Sequence, residues 1–320
     1  MRAFDYSRAA DAAEAVGTDA RLLAGGTNLL DLMKLEVETP ARLLDIHRAG
    51  MDRIEADGEG LRIGANVTNA DCAADPRIRR DYPLLAQAIL AGASPQLRNK
   101  ATMAGNLCQR TRCMHVMRTE TRCNKRAPGS GCDALEGVNR NHAILGASET
   151  CIATYPGDMA VALAALDAWV QIDSPSGRRS VALREFHRLP NGIAHRDNVL
   201  EPGEVITAIT LPAPVRGRQI YRKVRERSSY AFALVSVAAI LRMDADRIGF
   251  AALAFGALAH KPWTDPAVAE TLVGQKPSPE LFDKAADALL ARAQGRGEND
   301  FKIPLARRTL AAVLHDATRG

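Results

Sequence analysis

Four cysteines, Cys113, Cys123, Cys132 and Cys151, follow one another with nine, eight and eighteen intervening residues in one stretch of a 320-residue chain. The stretch is basic and rich in glycine and proline, with Arg118, Arg122, Lys125, Arg126, Pro128, Gly129 and Gly131. It has neither helical nor strand periodicity, so an apolar core is not what holds it in shape. Of six cysteines only Cys72 lies outside residues 108–151, and that concentration points to metal ligation ahead of a disulfide framework. Thiolates suit iron–sulfur groups and zinc alike, although the spacing is wider than in compact zinc ribbons. Cys108, five residues before Cys113, competes as a ligand. With thiols at hand, His115 and His142 are expected to face solvent. The arginines and lysines either offset the negative charge of a bound metal group or form a solvated, partner-facing surface.

Two other stretches could meet a ligand. Ala24-Gly25-Gly26-Thr27-Asn28 closes a strand and opens a helix, a strand–glycine–helix turn whose unpaired amides suit a phosphate. A tight connection between strand and helix would read the same way. Arg98-Asn99-Lys100-Ala101-Thr102-Met103-Ala104-Gly105-Asn106 is a run of small residues and amides of the kind that lies against a ligand.

The elements that must position these stretches follow from periodicity. A strand at 1–4, an amphipathic helix with Ala9, Ala12, Ala13 and Val16 on its buried stripe, and strands at 21–24 and 42–46 predict a small parallel sheet. A strand at 61–65 precedes a helix capped by Thr68, with Cys72 in its core, and a helix over 82–91 leads into the cysteine stretch. Beyond Cys151 come an apolar helix over 159–166, strands at 168–172, 178–181 and 205–211, and a break at Pro212-Ala213-Pro214. Three strands (220–224, 231–241, 248–255) and three helices (267–272, 279–292, 304–315) complete the chain. That order predicts a sheet with helices gathered on one face. The fold class expected is α+β.

Charge narrows the partners. Lysine and arginine number 42 against 37 acidic residues, giving +5 and a pI near 9.0. This is mildly basic, without the dense stripe or stacking platforms of a nucleic-acid binder. No signal peptide or membrane-spanning run is expected.

Three motifs together resemble a known family: Ala24 to Leu30, then Ala101-Thr102-Met103-Ala104-Gly105-Asn106, then Tyr221 to Arg227 with the apolar run Phe232 to Ala239. They resemble the FAD-binding medium subunit of the xanthine dehydrogenase family of molybdenum hydroxylases, over essentially the whole chain. With the four-cysteine insertion, the chain is similar in particular to periplasmic aldehyde oxidoreductase FAD subunits, and more distantly to 4-hydroxybenzoyl-CoA reductase flavin subunits, which carry an extra [4Fe–4S] cluster.

The resemblance implies a two-part FAD-binding domain of the p-cresol methylhydroxylase/vanillyl-alcohol oxidase type over 1–214, with a [4Fe–4S]-binding insertion at about 108–151. A C-terminal α+β domain over 215–320 follows, a three-stranded antiparallel sheet with three helices. It implies that Ala24, Gly25, Gly26, Thr27, Asn28, Leu29, Leu30 and Met33 form the first FAD loop, and Ala101, Thr102, Gly105 and Asn106 the second. Asp158 falls at the family's acidic position on the cofactor, Ile206 at the aliphatic position near it, and Lys223 at the basic position that approaches the flavin. The bland reading of Lys223 is a surface lysine on a strand. Cys113, Cys123, Cys132 and Cys151 fall on the [4Fe–4S] ligands.

The function so implied is electron transfer in a heterotrimer. A large subunit would hold the molybdenum cofactor and hydroxylate an aldehyde, a small one would hold two [2Fe–2S] clusters, and this chain would pass electrons to an external acceptor. No catalytic residue is expected on it. The complex is expected in the periplasm, exported on a partner's signal, with the cytoplasm as the alternative; neither nucleic acid nor membrane is an expected partner. The rival readings are the flavin subunit of another molybdenum hydroxylase (xanthine, aromatic-CoA or N-heterocycle substrate), a free-standing flavin oxidase, and a zinc or Fe–S binding protein.

Overall fold

The computed structural model describes residues 1–319. The chain opens with three short parallel strands, β1 (Asp5–Arg8), β2 (Arg21–Leu23) and β3 (Arg42–Asp45), in the order β1-β3-β2. Helix α1 (Leu29–Lys34) crosses from β2 to β3, so the expected β-α-β unit is present. The first strand lies four residues later than expected. The amphipathic helix over Ala9 to Val16 is reduced to one 3-10 turn, Ala13–Ala15. A segment that short cannot repay helix nucleation, and Glu14 instead turns back to accept from the Ala10 amide at 2.8 Å.

A five-stranded antiparallel sheet follows: β4 (Ile54–Asp57), β5 (Gly60–Gly64), β6 (Trp169–Ser174), β7 (Gly177–Ala182) and β8 (Val205–Leu211), in the order β4-β5-β8-β6-β7. Strand β4 was not expected. It is a mostly exposed edge strand with one inward side chain, Ile54, and so has no alternation to read. Between β5 and β6 run α2 (Asn69–Ala74), α3 (Pro76–Asp81), α4 (Pro83–Ala91), α5 (Pro95–Arg98), α6 (Met103–Leu107), the cysteine stretch with its single turn α7 (Met114–Met117), and α8 (Asp158–Ala165). Thr68 caps α2 by accepting from the Asp71 amide, and Cys72 is fully buried in the core, both as expected.

The C-terminal part is the antiparallel meander β9 (Arg218–Val224), β10 (Val235–Asp244) and β11 (Arg247–Gly256), with α9 (Leu183–Phe186) behind it in sequence and α10 (Pro266–Leu272), α11 (Pro279–Leu290) and α12 (Lys302–Thr318) after it. Strand β10 explains its own unbroken apolar run. Val235, Val237, Ala239 and Leu241 pack with the C-terminal helices, whereas Ala238 and Ile240 join the core built by α4 and α8. A strand buried on both faces reads as continuous rather than alternating hydrophobicity. The C-terminal sheet is thereby clamped between its own helices and those of the preceding part. Among the described residues, no helix is long and apolar enough to cross a membrane.

Candidate functional site

The first glycine loop sits at the mouth of a cleft of about 1050 Å³, lined by Ala24, Gly25, Gly26, Thr27, Asn28 and Leu29, by Thr102 and Gly105, and by Ile206. That volume is at the upper end of small-molecule pockets, roughly 300–1,000 Å³. The two loops meet at Gly25, where a Cβ would stand 1.8 Å from the carbonyl oxygen of Lys100, an approach only glycine permits. Gly26 takes φ +72°, in the left-handed region that turns the chain from β2 into α1.

The amides of the two loops are spent differently. Those of Met103, Ala104 and Asn106 donate to the chain's own carbonyls (Val67, Ala65 and Thr102), and that of Gly105 to the Thr102 hydroxyl. Those of Gly25, Gly26, Thr27 and Asn28 donate to no acceptor among the described residues. Four successive free amides at a cleft edge are what a phosphate or pyrophosphate takes up. Asn28 adds a side chain: its Oδ1 accepts from the Arg110 amide at 2.9 Å, while its Nδ2 is buried with no partner. A buried donor without an acceptor costs about 1–3 kcal/mol, and a bound ligand oxygen would relieve it. The first loop is therefore the one with amides to spare, and the second is the wall against which it lies.

Other expected cofactor residues lie apart from the cleft lining. Met33 is buried in the core, and Leu30 packs against Gly26. The Ala101 carbonyl accepts from the Asn69 amide, and Asn106 ties Asn69, Gln109 and Tyr155 together. Asp158, in the first turn of α8, and Lys223, on β9, face each other. Lys223 Nζ donates to Asp158 Oδ2 at 2.8 Å and to the Ala91 carbonyl at 3.1 Å, and Tyr221 donates to Asp158 Oδ1 at 2.6 Å. Their side chains are 4% and 7% exposed, for Lys223 and Asp158 respectively, so Lys223 is not a surface lysine. Burial and the neighbouring Asp158 push Tyr221 well above the usual phenol range, so it stays a donor.

Glu38, Arg110 and Asp197, not singled out from the sequence, complete the cleft together with Cys108. Arg110 Nε donates to Asp197 at 2.9 Å, and Lys125 Nζ, 3% exposed, donates to the other oxygen of Asp197 at 2.6 Å. Burial alone would raise Asp197, but the charges of Lys125 and Arg110 outweigh it and hold the carboxyl below its ordinary value. This chain of charges runs from the cleft directly into the cysteine stretch.

There the four expected cysteines gather, none in a disulfide. Cys123 and Cys132 pair across an isolated bridge, and Cys113 packs against the small buried cluster of Cys151, Ala153 and Ala194. Hydrogen bonding from the backbone pulls these thiols down: from His115 and Val116 at Cys113, from Ala134, Leu135 and Ile152 at Cys132, and from Ala153 at Cys151. Burial nonetheless pushes the Cys113 thiol up to about 11 and Cys151 to about 12. Amide donors can hold thiolates here, and ionising them at neutral pH takes a metal. Among the described residues, no three His, Cys, Asp or Glu are gathered tightly enough to hold a single ion. Cys108 belongs to the cleft, not to this group.

The expectation that His142 faces solvent is overturned. It is 5% exposed, with Nε2 at 3.0 Å from Cys113 Sγ, because Asn299 and Lys302 at the start of α12 grip its carbonyl at 3.3 and 3.0 Å. Burial lowers His142 to about 4 and His260, which stands 3.2 Å from Cys151 Sγ, to about 3. The basic residues also divide. Arg122 pairs with Asp133 at the surface, whereas Arg126 ties the carbonyls of His115, Val116, Thr119 and Thr121 together.

Residues 1–214 match the family model described as the FAD binding domain in molybdopterin dehydrogenase, and residues 218–317 that of the CO dehydrogenase flavoprotein C-terminal domain. The chain is 53% identical over 325 residues, 99% of each chain, to the aldehyde oxidoreductase FAD-binding subunit PaoB of Escherichia coli K12. It is 27% identical to the carbon monoxide dehydrogenase medium chain of Afipia carboxidovorans, covering 95% of this chain and 92% of the other. Among solved structures, cyanide-inactivated Cu,Mo-CO dehydrogenase superposes with a TM-score of 0.77 at 25% identity, over 99% of this chain and 98% of that one. Quinoline 2-oxidoreductase from Pseudomonas putida 86 gives 0.75 at 25% identity, over 99% and 97%.

Proposed function

Because the chain belongs to the family of FAD-binding medium subunits of the molybdenum hydroxylases, we propose that it is the electron-transfer subunit of an aldehyde oxidoreductase. In this reading it joins a large molybdenum-cofactor subunit and a small subunit with two [2Fe–2S] clusters, and it carries a [4Fe–4S] cluster of its own. FAD and the cluster supply the redox chemistry when bound. Gly25, Gly26, Thr27 and Asn28 would hold the pyrophosphate of FAD, with Ile206 on the cleft wall. Cys113, Cys123, Cys132 and Cys151 would hold the cluster, each on a different iron and so farther apart than the ligands of one ion. The aldehyde rests on the name of the relative with 53% identity. The observation that carries the flavin reading is the row of free amides closed off by Gly25 against Lys100.

Flavin, iron and acid-labile sulfide content of the complex, purified anaerobically, tests the assignment. About one FAD and about four irons beyond two [2Fe–2S] clusters are expected, and Cys132→Ser is expected to lose those irons while keeping FAD. FAD without surplus iron would remove the cluster, and absence of flavin would remove the central reading. Asn28→Ala withdraws one donor, worth about 1 kcal/mol, so FAD retention on dilution is expected to weaken by roughly fivefold. Unchanged retention would take Asn28 out of the site. Location in the periplasm on a partner's signal is part of the proposal, and fractionation of the native host's cells tests it.

A further inference from the structure

Two histidines far apart in sequence each place Nε2 beside one of the four gathered thiols: His142 at 3.0 Å from Cys113 Sγ and His260 at 3.2 Å from Cys151 Sγ. They come from different parts of the chain. His142 lies in the cysteine stretch, held by Asn299 and Lys302 of the C-terminal part, and His260 follows β11. Both rings are buried, and in both Nδ1 is enclosed without any partner. A proton on Nδ1 would be a buried donor facing no acceptor, whereas on Nε2 it meets sulfur. A cysteine that ligates iron has lost its proton, so the contact to it needs the ring as donor.

We propose that His142 and His260 donate Nε2–H···S hydrogen bonds to Cys113 and Cys151 when these carry the cluster, setting its reduction potential. The inference rests on the cluster reading above. An added electron increases the negative charge on the ligand sulfurs, so a fixed donor stabilises the reduced state more than the oxidised one and raises the potential. These are positioning residues, not ligands: the four thiols complete the metal shell, and each ring meets a sulfur.

The test uses the full chain in its native complex, with His142→Leu, His260→Leu, the double variant, and His142→Gln and His260→Gln, whose amides can still donate. An EPR-monitored redox titration is expected to find the [4Fe–4S] midpoint shifted to more negative potential in each leucine variant and further in the double, with glutamine restoring much of the shift. Iron content stays at the wild-type level in all of them. Unshifted midpoints with a full complement of iron would overturn the inference while leaving the cluster reading intact; wild-type protein without surplus iron would overturn both. Should the leucine variants lose the cluster, wild-type complex carrying 15N-histidine decides. Weak hyperfine coupling to nitrogen in the reduced state, with exchangeable deuterons, supports donation to sulfur. Absence of coupling, or the strong coupling of nitrogen bound to iron, overturns it.

Discussion

Asp158→Asn is expected to destabilise the protein by about 3–5 kcal/mol, the usual cost of removing one partner from a buried ion pair. The substitution keeps the volume and leaves an oxygen for the Tyr221 hydroxyl, so the loss falls on Lys223. Its ammonium, 4% exposed, would keep only the Ala91 carbonyl, and the new amide would turn a donor toward a donor. The pair matters because of where it lies. Strand β9 is an edge strand of the C-terminal sheet, and it is bound sideways to the preceding part of the chain. Gln87 accepts from the Tyr221 amide at 2.8 Å and donates to the Gln219 carbonyl at 3.2 Å, and Gln219 donates to the Asp81 carbonyl at 3.1 Å. Asp158 is the charged member of that joint, at the first turn of α8. Urea unfolding followed by circular dichroism measures the effect, and the double variant Asp158→Asn/Lys223→Met is expected to recover most of it, since a buried pair replaced by neutral groups is often close to neutral in cost. A loss below about 1 kcal/mol in the single variant would show that the pair is solvated in the folded protein.

Where local chemistry decides the structure, the sequence could be read. The glycine turn needs Gly25 for the approach to Lys100 and Gly26 for its positive φ. Thr68 caps the helix that follows it, and β10 announces burial on both faces. The four cysteines inside one polar segment stood out for the same reason, as thiols concentrated where no apolar periodicity holds the chain. What could not be read was pairing over distance. Arg110 and Lys125 meet Asp197 from 87 and 72 residues away, and His260 meets Cys151 from 109. Neither Asp197, in a polar loop, nor His260, after a strand, carries a local mark. The resemblance marks Lys223, but its burial against Asp158 depends on how the end of β9 meets the first turn of α8. Short elements failed where hydrogen bonds of side chains override propensity, as in the turn at Ala13–Ala15.

Gly25→Ala is expected to weaken FAD binding by about ten- to a hundredfold while leaving the fold intact. The added methyl would stand 1.8 Å from the Lys100 carbonyl oxygen and 2.7 Å from its carbon. Both are backbone atoms, and the Lys100 and Ala101 amides are themselves tied to the Leu97 carbonyl, so the second loop cannot yield as a side chain would. The first loop must move instead. Overpacking of this kind costs about 1–3 kcal/mol, and here it acts on the four amides that have no acceptor in the chain. They would leave the line that a pyrophosphate needs. Gly105→Ala provides the comparison within the same cleft: its Cβ meets only the Thr102 hydroxyl, at 2.8 Å, a side-chain atom that can rotate, and the amides of that loop already serve the chain. A loss several times smaller than in Gly25→Ala is expected. Flavin absorbance after gel filtration, with thermal melts of the apoproteins as the control for folding, separates the two variants. Equal FAD loss in both would mean that the second loop grips the cofactor as firmly as the first, and full retention in Gly25→Ala would show that the close contact of the loops is not what aligns the amides.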